Sequence, residues 1–184
     1  MASAVQICNR ALIKLGADTI ISMTEDSKPA RLCNILYTPL REELLRLHPW
    51  NFAIARADLA QSTSDPLFGF DFSYPLPVDC LRVLKLDDTT IKYKIEGRSI
   101  LTDSDEVLLI YIKNETDTTK FDSLFTSALV LKLAIELSYN ITGASNVAAG
   151  ILDEYKNFMR EAKLRDGQEG TPDQLENYTW LDSR

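Results

Sequence analysis

The chain has 184 residues, of which 45% are hydrophobic and 26% charged, a composition that is typical of a globular protein and excludes a disordered or fibrous one. Its length is sufficient for one sizeable core, or for one core with an inserted subdomain. The net charge of -7 argues against a protein that holds nucleic acid over a broad surface, because such affinity comes from clustered Lys and Arg side chains.

The cysteines and the lack of a signal-like segment indicate where the protein is made. Cys8, Cys33 and Cys80 are odd in number, far apart in sequence and set among apolar neighbours, which predicts buried, reduced thiols. We find no basic start followed by an apolar stretch, and no run of about 18 apolar residues that would cross a bilayer. We therefore expect a protein that is made in the cytoplasm and has no membrane association.

Two helices are predicted before the first strand. Apolar residues at helical spacing predict a helix over residues 3–15, with Gly16 as its C-terminal stop. Ser27 is a capping residue for a second helix, which follows another apolar stripe and ends at His48. Pro39 lies inside this second pattern, so we expect a kink or a break there.

A β region follows, because the hydrophobic period shortens and prolines and glycines interrupt the chain. The predicted strands cover residues 52–59, 81–86, 91–95, 99–101 and 107–112. Glu96-Gly97-Arg98 is the best hairpin turn, whereas Pro66, Gly69, Pro75 and Pro77 predict a loop between the first two strands. Five short, unevenly spaced strands are too few for a sandwich or barrel, so we expect one small antiparallel sheet.

Two more helices and an arm are predicted after the strands. The capping cluster at residues 117–119 precedes a segment that is apolar on most faces, which predicts an enclosed helix closed by Gly143. Ser145 is expected to cap the last helix, whose inner face lies within residues 151–162. Residues 167–184 have no amphipathic period, so we expect an extended arm.

The order helix, helix, strands, helix, helix predicts an α+β protein. We expect an antiparallel helical bundle with an inserted small antiparallel β region and an extended C-terminal arm. In this prediction the discontinuous bundle consists of residues 1–49 and 117–166. The inserted β subdomain consists of residues 50–116, and the arm consists of residues 167–184.

The arm has four large apolar side chains on a segment without a predicted helix or strand. They are Leu175, Tyr178, Trp180 and Leu181. Such a segment either folds back on its own subunit or lies in a groove of a neighbour, and apolar anchors are what partner binding by an arm requires. We interpret these four residues as a partner-binding arm.

Two proline-containing junctions mark where helical and β structure meet. The run His48-Pro49-Trp50-Asn51-Phe52-Ala53 closes the second helix, and its proline turns the chain so that the aromatic rings can bury apolar area. The run Leu76-Pro77-Val78-Asp79-Cys80-Leu81-Arg82-Val83 enters a strand downstream. We interpret as structural junction residues His48, Pro49, Trp50, Asn51, Phe52, Pro77 and Asp79.

The residue types needed for catalysis or metal binding are scarce. One histidine and three dispersed cysteines do not match the ligand spacing of a zinc site, and the chain has neither a Gly-rich phosphate loop nor a Gly-x-Ser-x-Gly elbow. Asp103, Asp105 and Glu106 form an acidic cluster of the kind that glycoside hydrolysis needs, but they lie in a predicted turn, where solvated acids are ordinary. We expect no enzymatic activity, no metal and no cofactor.

Several runs of the chain belong together when they are taken in order. They are Ala11-Leu12-Ile13-Lys14-Leu15-Gly16 with Ile21, residues 30–47 with Tyr37, Pro39 and Arg41, residues 48–53, and residues 76–83 with Glu96-Gly97. In this order and spacing they resemble the tail tubular protein A family, the adaptor proteins at the head-to-tail joint of short-tailed bacteriophages. The resemblance covers residues 4–166, and the run at residues 48–53 is its most specific part.

The resemblance implies a dodecameric ring in the virion, docked beneath the portal protein and above a tail nozzle of the tail tubular protein B type. Tail fibres would attach below, and genomic DNA would pass through the channel without specific binding. Two other classes stay open. One is a hydrolase of host surface polysaccharide or peptidoglycan that uses acids such as Asp103 and Asp105, and the other is a small cytoplasmic helical binding module.

Overall fold

The computed structural model describes residues 3–169, and this part of the chain has four α-helices and six β-strands. The helices are α1 (Ala4–Lys14), α2 (Lys28–Leu47), α3 (Ser123–Thr142) and α4 (Ser145–Gln168). The strands are β1 (Ile54–Asp58), β2 (Phe72–Pro75), β3 (Cys80–Leu86), β4 (Tyr93–Glu96), β5 (Ser99–Thr102) and β6 (Leu108–Lys113). The prediction of a mixed α+β protein is confirmed.

The first two helices begin at the predicted capping residues. Ser3 and Gln6 form a reciprocal capping box at the start of α1, and Gly16, with a φ of 69°, follows the end of this helix. The Ser27 side chain accepts a hydrogen bond from the backbone N–H of Ala30 at the start of α2. Local capping chemistry therefore determines where both helices start.

Pro39 lies inside α2 without ending it, so a break at this position is wrong. A proline within a helix removes the N–H that would bind the carbonyl four residues earlier, which here belongs to Ile35. Pro39 and Ile35 are both on the exposed side of α2, where water can replace the missing donor. Tyr37, Leu40 and Leu44 are buried on the opposite side and hold the helix against the core.

The strands form two three-stranded antiparallel sheets, with the orders β1-β6-β3 and β2-β5-β4, so the prediction of one small sheet is wrong. The additional strand is β2, which lies in the stretch that was expected to be a loop. β2 is an edge strand that ends at Pro75, a position where a missing N–H leaves no gap inside the ladder. The hairpin turn at Gly97, with a φ of 57°, joins β4 to β5 as predicted.

Three predicted boundaries differ from those in the structure. Asn51–Ala53 form a 3-10 turn, so β1 begins later than expected. The predicted capping cluster instead leads into a second 3-10 turn, Thr118–Lys120, and the N-cap of α3 is Asp122, whose carboxylate accepts two backbone N–H groups. Ala144 takes the N-cap position of α4, so Ser145 is the first residue of that helix and not its cap.

The central helix is α3, which packs against α1, α2 and α4. Its fully buried side chains are Phe125, Ala128, Leu129, Leu133, Ala134 and Leu137, as expected for an enclosed helix. By length and composition α3 could also span a membrane, contrary to the sequence-based expectation, although 56% of its apolar window is buried inside the protein. A core helix of a globular protein passes the same test.

A second buried cluster lies among the strands and includes Tyr74, Leu86, Ile100, Leu109 and Tyr111. It is distinct from the cluster formed by the helices, to which Trp50, Ala53 and Ile112 also belong. All six strands lie between Ile54 and Lys113, and the four helices lie outside these limits.

The last helix is longer than predicted, because α4 extends through Gln168. Residues 167 and 168 are therefore helical and do not begin an arm. Glu169 is the C-cap of this helix, and the rest of the predicted arm, residues 170–184, lies outside the described residues together with its apolar side chains Leu175, Tyr178, Trp180 and Leu181.

Candidate functional site

Trp50 lies between the end of α2 and the start of β1 and is fully buried. Its indole Nε1–H donates a hydrogen bond to the carbonyl oxygen of Leu44 at 3.1 Å. The indole packs edge-on against Phe125 of α3, with ring centroids 5.4 Å apart, and against His48, with centroids 4.9 Å apart. Because the ring and its one donor are both satisfied inside the protein, this tryptophan is a packing residue.

Three phenylalanines complete a ring cluster around Trp50. The centroids of Phe52 and Phe121 lie 5.8 Å apart, and each of these rings lies 5.0 Å from Phe125. Phe52 follows α2 and Phe121 precedes α3, so the cluster holds together the segment that leaves the helices and the segment that returns to them.

Asp166, near the end of α4, binds the same junction through its carboxylate and its carbonyl. Oδ2 lies 2.8 Å from His48 Nε2, Oδ1 accepts the backbone N–H of Asn51 at 3.3 Å, and the carbonyl accepts Asn51 Nδ2–H at 2.7 Å. The Asp166 side chain is only 7% exposed, so these donors satisfy a carboxylate that water barely reaches. A single acidic residue in the last turns of an amphipathic helix belongs to no recognisable sequence motif. For that reason the sequence did not predict the role of Asp166.

The chemical potential of the His48–Asp166 pair is limited by its surroundings. A catalytic histidine needs a nucleophile or a substrate on the nitrogen that does not face the acid. Within residues 3–169, the imidazole of His48 is hydrogen-bonded to Asp166. No hydrogen bond in this range joins the ring to the side chain of a serine, threonine or cysteine. The imidazole also packs edge-on against a buried indole. The pair therefore has the geometry of a link between chain segments.

Pro77 and Asp79 form the second junction, at the start of β3. The backbone N–H of Cys80 donates to the carbonyl of Pro77 at 2.9 Å and closes a turn. The Asp79 carboxylate accepts the hydroxyl of Tyr111 at 3.2 Å, while its carbonyl accepts the N–H of Asn114 at 2.7 Å. Burial raises the pKa of Tyr111 to about 12, and the Asp79 charge adds to this rise, so the phenol keeps its proton and donates.

Two arginines connect the two junctions. Arg46, in the last turn of α2, donates to the carbonyl of Leu81 in β3, and Arg82 Nη1 donates back to the carbonyl of Arg46 at 2.8 Å. The structure thus brings together the segments that contain the seven predicted junction residues. The side chains of the two junctions have separate hydrogen-bond partners, because Trp50 donates to the carbonyl of Leu44 and Asp79 accepts from Tyr111.

A third polar link joins α2 to the end of β6. Arg41 is 6% exposed, and its Nη2 donates to the side-chain carbonyl of Asn114 at 2.9 Å. The amide of Asn114 then donates to Glu42 Oε1, also at 2.9 Å. Two buried polar atoms of α2, Arg41 Nε and the hydroxyl of Tyr37, have no hydrogen-bond partner among residues 3–169.

The acidic cluster lies in an exposed turn between β5 and β6. Asp103 Oδ1 accepts the backbone N–H of Asp71 at 3.1 Å, and the Ser104 hydroxyl donates to the carbonyl of Glu106 at 2.9 Å. Asp105 and Glu106 are exposed beside these turn contacts. The hydrogen bonds give this cluster a structural part in the turn.

The three cysteines are buried free thiols, as predicted. A hydrogen bond between Cys8 of α1 and Cys33 of α2 raises the pKa of Cys8, which burial raises further, and lowers the pKa of Cys33. Their pairing was not visible in the sequence, because each is only one apolar position in its helix. Within the described chain, no group of three His, Cys, Asp or Glu side chains is arranged to hold a metal ion.

Large apolar side chains are exposed on three loops, and the sequence had not predicted this exposure. Ile21 between α1 and α2 is 92% exposed, and Val78 between β2 and β3 is 98% exposed. Leu67 and Phe68, adjacent in the loop between β1 and β2, are 98% and 86% exposed and line a surface pocket of about 520 Å³. The signal was present in the run Pro66-Leu67-Phe68-Gly69-Phe70, since large apolar residues in a Pro/Gly loop favour contact with a partner.

In comparisons with known proteins, no protein-family model matches the chain and no curated protein matches it. The fold and the site define a mixed α+β protein in which several polar and aromatic contacts fix the junctions between helices and sheets. Any function assigned to the chain therefore rests on its own residues and their contacts.

Proposed function

We propose that this protein is a structural virion protein, the head-to-tail adaptor of a short-tailed bacteriophage. In this proposal a dodecameric ring connects the portal protein to the tail nozzle and extends the DNA ejection channel. Tail fibres attach below the ring. The subunit is made in the host cytoplasm and becomes part of the virion, and its role is to connect other components without catalysing a reaction.

In the proposed subunit, the helices form an antiparallel bundle and residues 50–116 form its inserted β subdomain. The residues after α4 act as the partner-binding arm. The confinement of all six strands to Ile54–Lys113 supports this division, as does the aromatic cluster around Trp50, where the chain leaves the helices and returns. A rigid connection at this point suits a subunit that transmits position from one neighbour to the next.

The observation that carries the proposal is the pair of exposed side chains Leu67 and Phe68. Full burial of one such side chain contributes about 1.5–3 kcal/mol, so a partner that covers both side chains gains a substantial free energy. In a cyclic ring each subunit presents two different faces to its neighbours. The loop of one subunit can therefore contact a different surface of the next subunit. We assign it to the contact between adjacent subunits.

The charge of the chain supports the same proposal. A net charge of -7 disfavours adhesion to phosphate groups over a broad surface, and a conduit must let a polyanion pass without retaining it. An acidic ring therefore suits a channel for genomic DNA.

Electron microscopy of the full-length protein mixed with portal rings from the same genome tests the proposal. We expect a ring of subunits on the portal, and we expect the double variant Leu67→Ser/Phe68→Ser to lose it. Ile35→Ser is the matched control, because Ile35 is 66% exposed on α2, away from this loop, and its replacement should leave the ring intact. A protein that stays monomeric beside portal rings would refute the adaptor function. Normal assembly of the double variant would refute the assigned contact.

A further inference from the structure

Three arginines line one pocket where the end of α2 meets β3 and the β4–β5 hairpin. The pocket has a volume of about 200 Å³ and is lined by Arg46, Arg82 and Arg98 together with apolar and small residues such as Cys80 and Leu81. None of the described residues that line it carries a carboxylate. In a chain with 27 acidic and 20 basic residues, three arginines without an acid is an unusual local composition.

Within the described part of the chain, the guanidinium groups of these arginines donate to backbone carbonyls and to no side chain. Arg46 donates to Leu81, Arg82 donates to the carbonyl of Arg46, and Arg98 Nη2 donates to the carbonyl of Pro77 at 2.7 Å. Among residues 3–169, the ion pairs involve none of the three arginines. Because each guanidinium has several N–H donors, most of the donors around this pocket remain available.

The positive charge of the arginines reaches the wall of the pocket. Burial raises the pKa of the Cys80 thiol, and the charges of Arg98 and Arg46 oppose this rise, whereas Asp79 adds to it. Asp79 itself is not a lining residue, and its carboxylate accepts the hydroxyl of Tyr111. Among the described residues, no acid that lines the pocket therefore offsets the charges of its arginines.

We propose that this pocket binds one phosphate-sized oxyanion through the guanidinium groups of Arg46, Arg82 and Arg98. Planar guanidinium groups match the oxygen pairs of phosphate, and such charge-assisted hydrogen bonds are about twice as strong as neutral ones. At ~30 Å³ for each water molecule, the pocket has the volume of roughly seven waters, which is sufficient for a phosphate group and part of its hydration shell. The ligand is either free inorganic phosphate or a single phosphodiester of DNA, since both present the same oxygens. All the residues belong to one subunit, so the site does not depend on ring formation.

The test is a titration of the full-length protein with inorganic phosphate, in chloride buffer of matched ionic strength, followed by amide chemical shifts. We expect a saturable change at the backbone amides of Arg82, Arg98 and Cys80. Arg82→Gln and Arg98→Gln should each weaken binding about tenfold. Arg31→Gln is the control, because this substitution makes the same change in net charge. Arg31 pairs with Asp26 in a distant part of the chain.

Two measurements separate loss of binding from loss of folding. In the wild-type protein, phosphate should raise the melting temperature above that in chloride of equal ionic strength, because a ligand stabilises the state that binds it. Arg98→Lys preserves the charge but lacks the planar fork, and it should bind phosphate more weakly while its melting temperature without phosphate stays near that of the wild type. Absence of a saturable shift in the wild type would overturn the proposal, as would equal weakening by Arg31→Gln and Arg98→Gln.

A short DNA duplex distinguishes the two sources of phosphate. If the duplex shifts the same amides and displaces inorganic phosphate, the ligand is the nucleic acid backbone. If inorganic phosphate binds and the duplex does not, the ligand is a free anion. The site does not exist if neither compound binds there.

Discussion

The contacts of Asp166 join parts of the chain that are 115 and 118 residues apart in sequence. Its carboxylate faces His48 and the N–H of Asn51, and hardly any water competes for these hydrogen bonds. A buried donor that loses its acceptor costs about 1–3 kcal/mol of stability. Asp166 therefore contributes to stability mainly because its removal would leave the donors of His48 and Asn51 unpaired. At the residue scale, the junction therefore depends on one acid as much as on its aromatic rings.

Replacement of Asp166 by alanine should lower the free energy of unfolding by about 2–3 kcal/mol, because the imidazole of His48 and the N–H of Asn51 lose their acceptor. Urea denaturation measures this change. The control is Asp153→Ala in the same helix, where the aspartate side chain is 79% exposed, and its effect should stay within about 0.5 kcal/mol. Equal losses in the two variants would show that the contacts of Asp166 contribute nothing beyond those of a surface acid.

The sequence identified one half of this junction and missed the other. A proline followed by large aromatic residues predicted a turn with buried rings, and Trp50 and Phe125 meet in the core. The partners of that turn were not predictable, because hydrogen bonds such as those of Asp166 and Arg46 depend on which distant segments pack together. The hydrogen bond between Cys8 and Cys33 escaped for the same reason.

At the scale of elements, helices were easier to predict than sheets. Helix starts such as Ser3 and Ser27 are determined by hydrogen bonds within four residues, and an apolar stripe can be read from spacing alone. Strand partners depend on tertiary packing, so neither the strand Phe72–Pro75 nor the separation into two sheets followed from the local pattern. The proline that favoured a loop is compatible with an edge strand.

Pro39→Ala should stabilise the protein by about 1–2 kcal/mol. The substitution returns an N–H to the middle of α2, where it can donate to the carbonyl of Ile35, and alanine suits a helix interior better than proline does. The free energy of unfolding from urea denaturation measures this gain. Pro29→Ala is the control: Pro29 lies in the first turn, where no intrahelical acceptor is missing its donor, so no gain is expected. A loss of stability in Pro39→Ala would show that the proline shapes the packing of α2.

At the scale of the whole molecule, the exposed loops contrast with the tightly connected junctions. Leu67, Phe68 and Val78 all lie on loops of the β region, whereas Trp50 and Phe125 are enclosed. Apolar side chains at loop tips suit contact with other proteins, and a connected junction behind them lets such a contact orient the whole subunit. This combination agrees with the proposed adaptor function.

Deletion of residues 173–184 should weaken assembly on the portal about tenfold while the truncated chain stays folded. The deleted segment includes Leu175, Tyr178, Trp180 and Leu181, the apolar anchors of the proposed arm. Mass measurement of the mixture with portal rings gives the extent of assembly, and the urea midpoint reports whether the subunit is intact. Docking of the truncated protein as tight as that of the full chain would refute the role of the arm.

The antiparallel pair of β1 and β6 has a consequence for how this chain can change. Ile54 at the start of β1 lies opposite Ile112 near the end of β6, and directly paired residues in such a ladder have Cα atoms about 4.5–5.5 Å apart. Residues 54–112 therefore form a module whose first and last residues are adjacent. Changes in the length of that module can therefore leave its two ends adjacent, but an exchange of the whole module would also remove the contacts of Arg46 and Arg82 between α2 and β3.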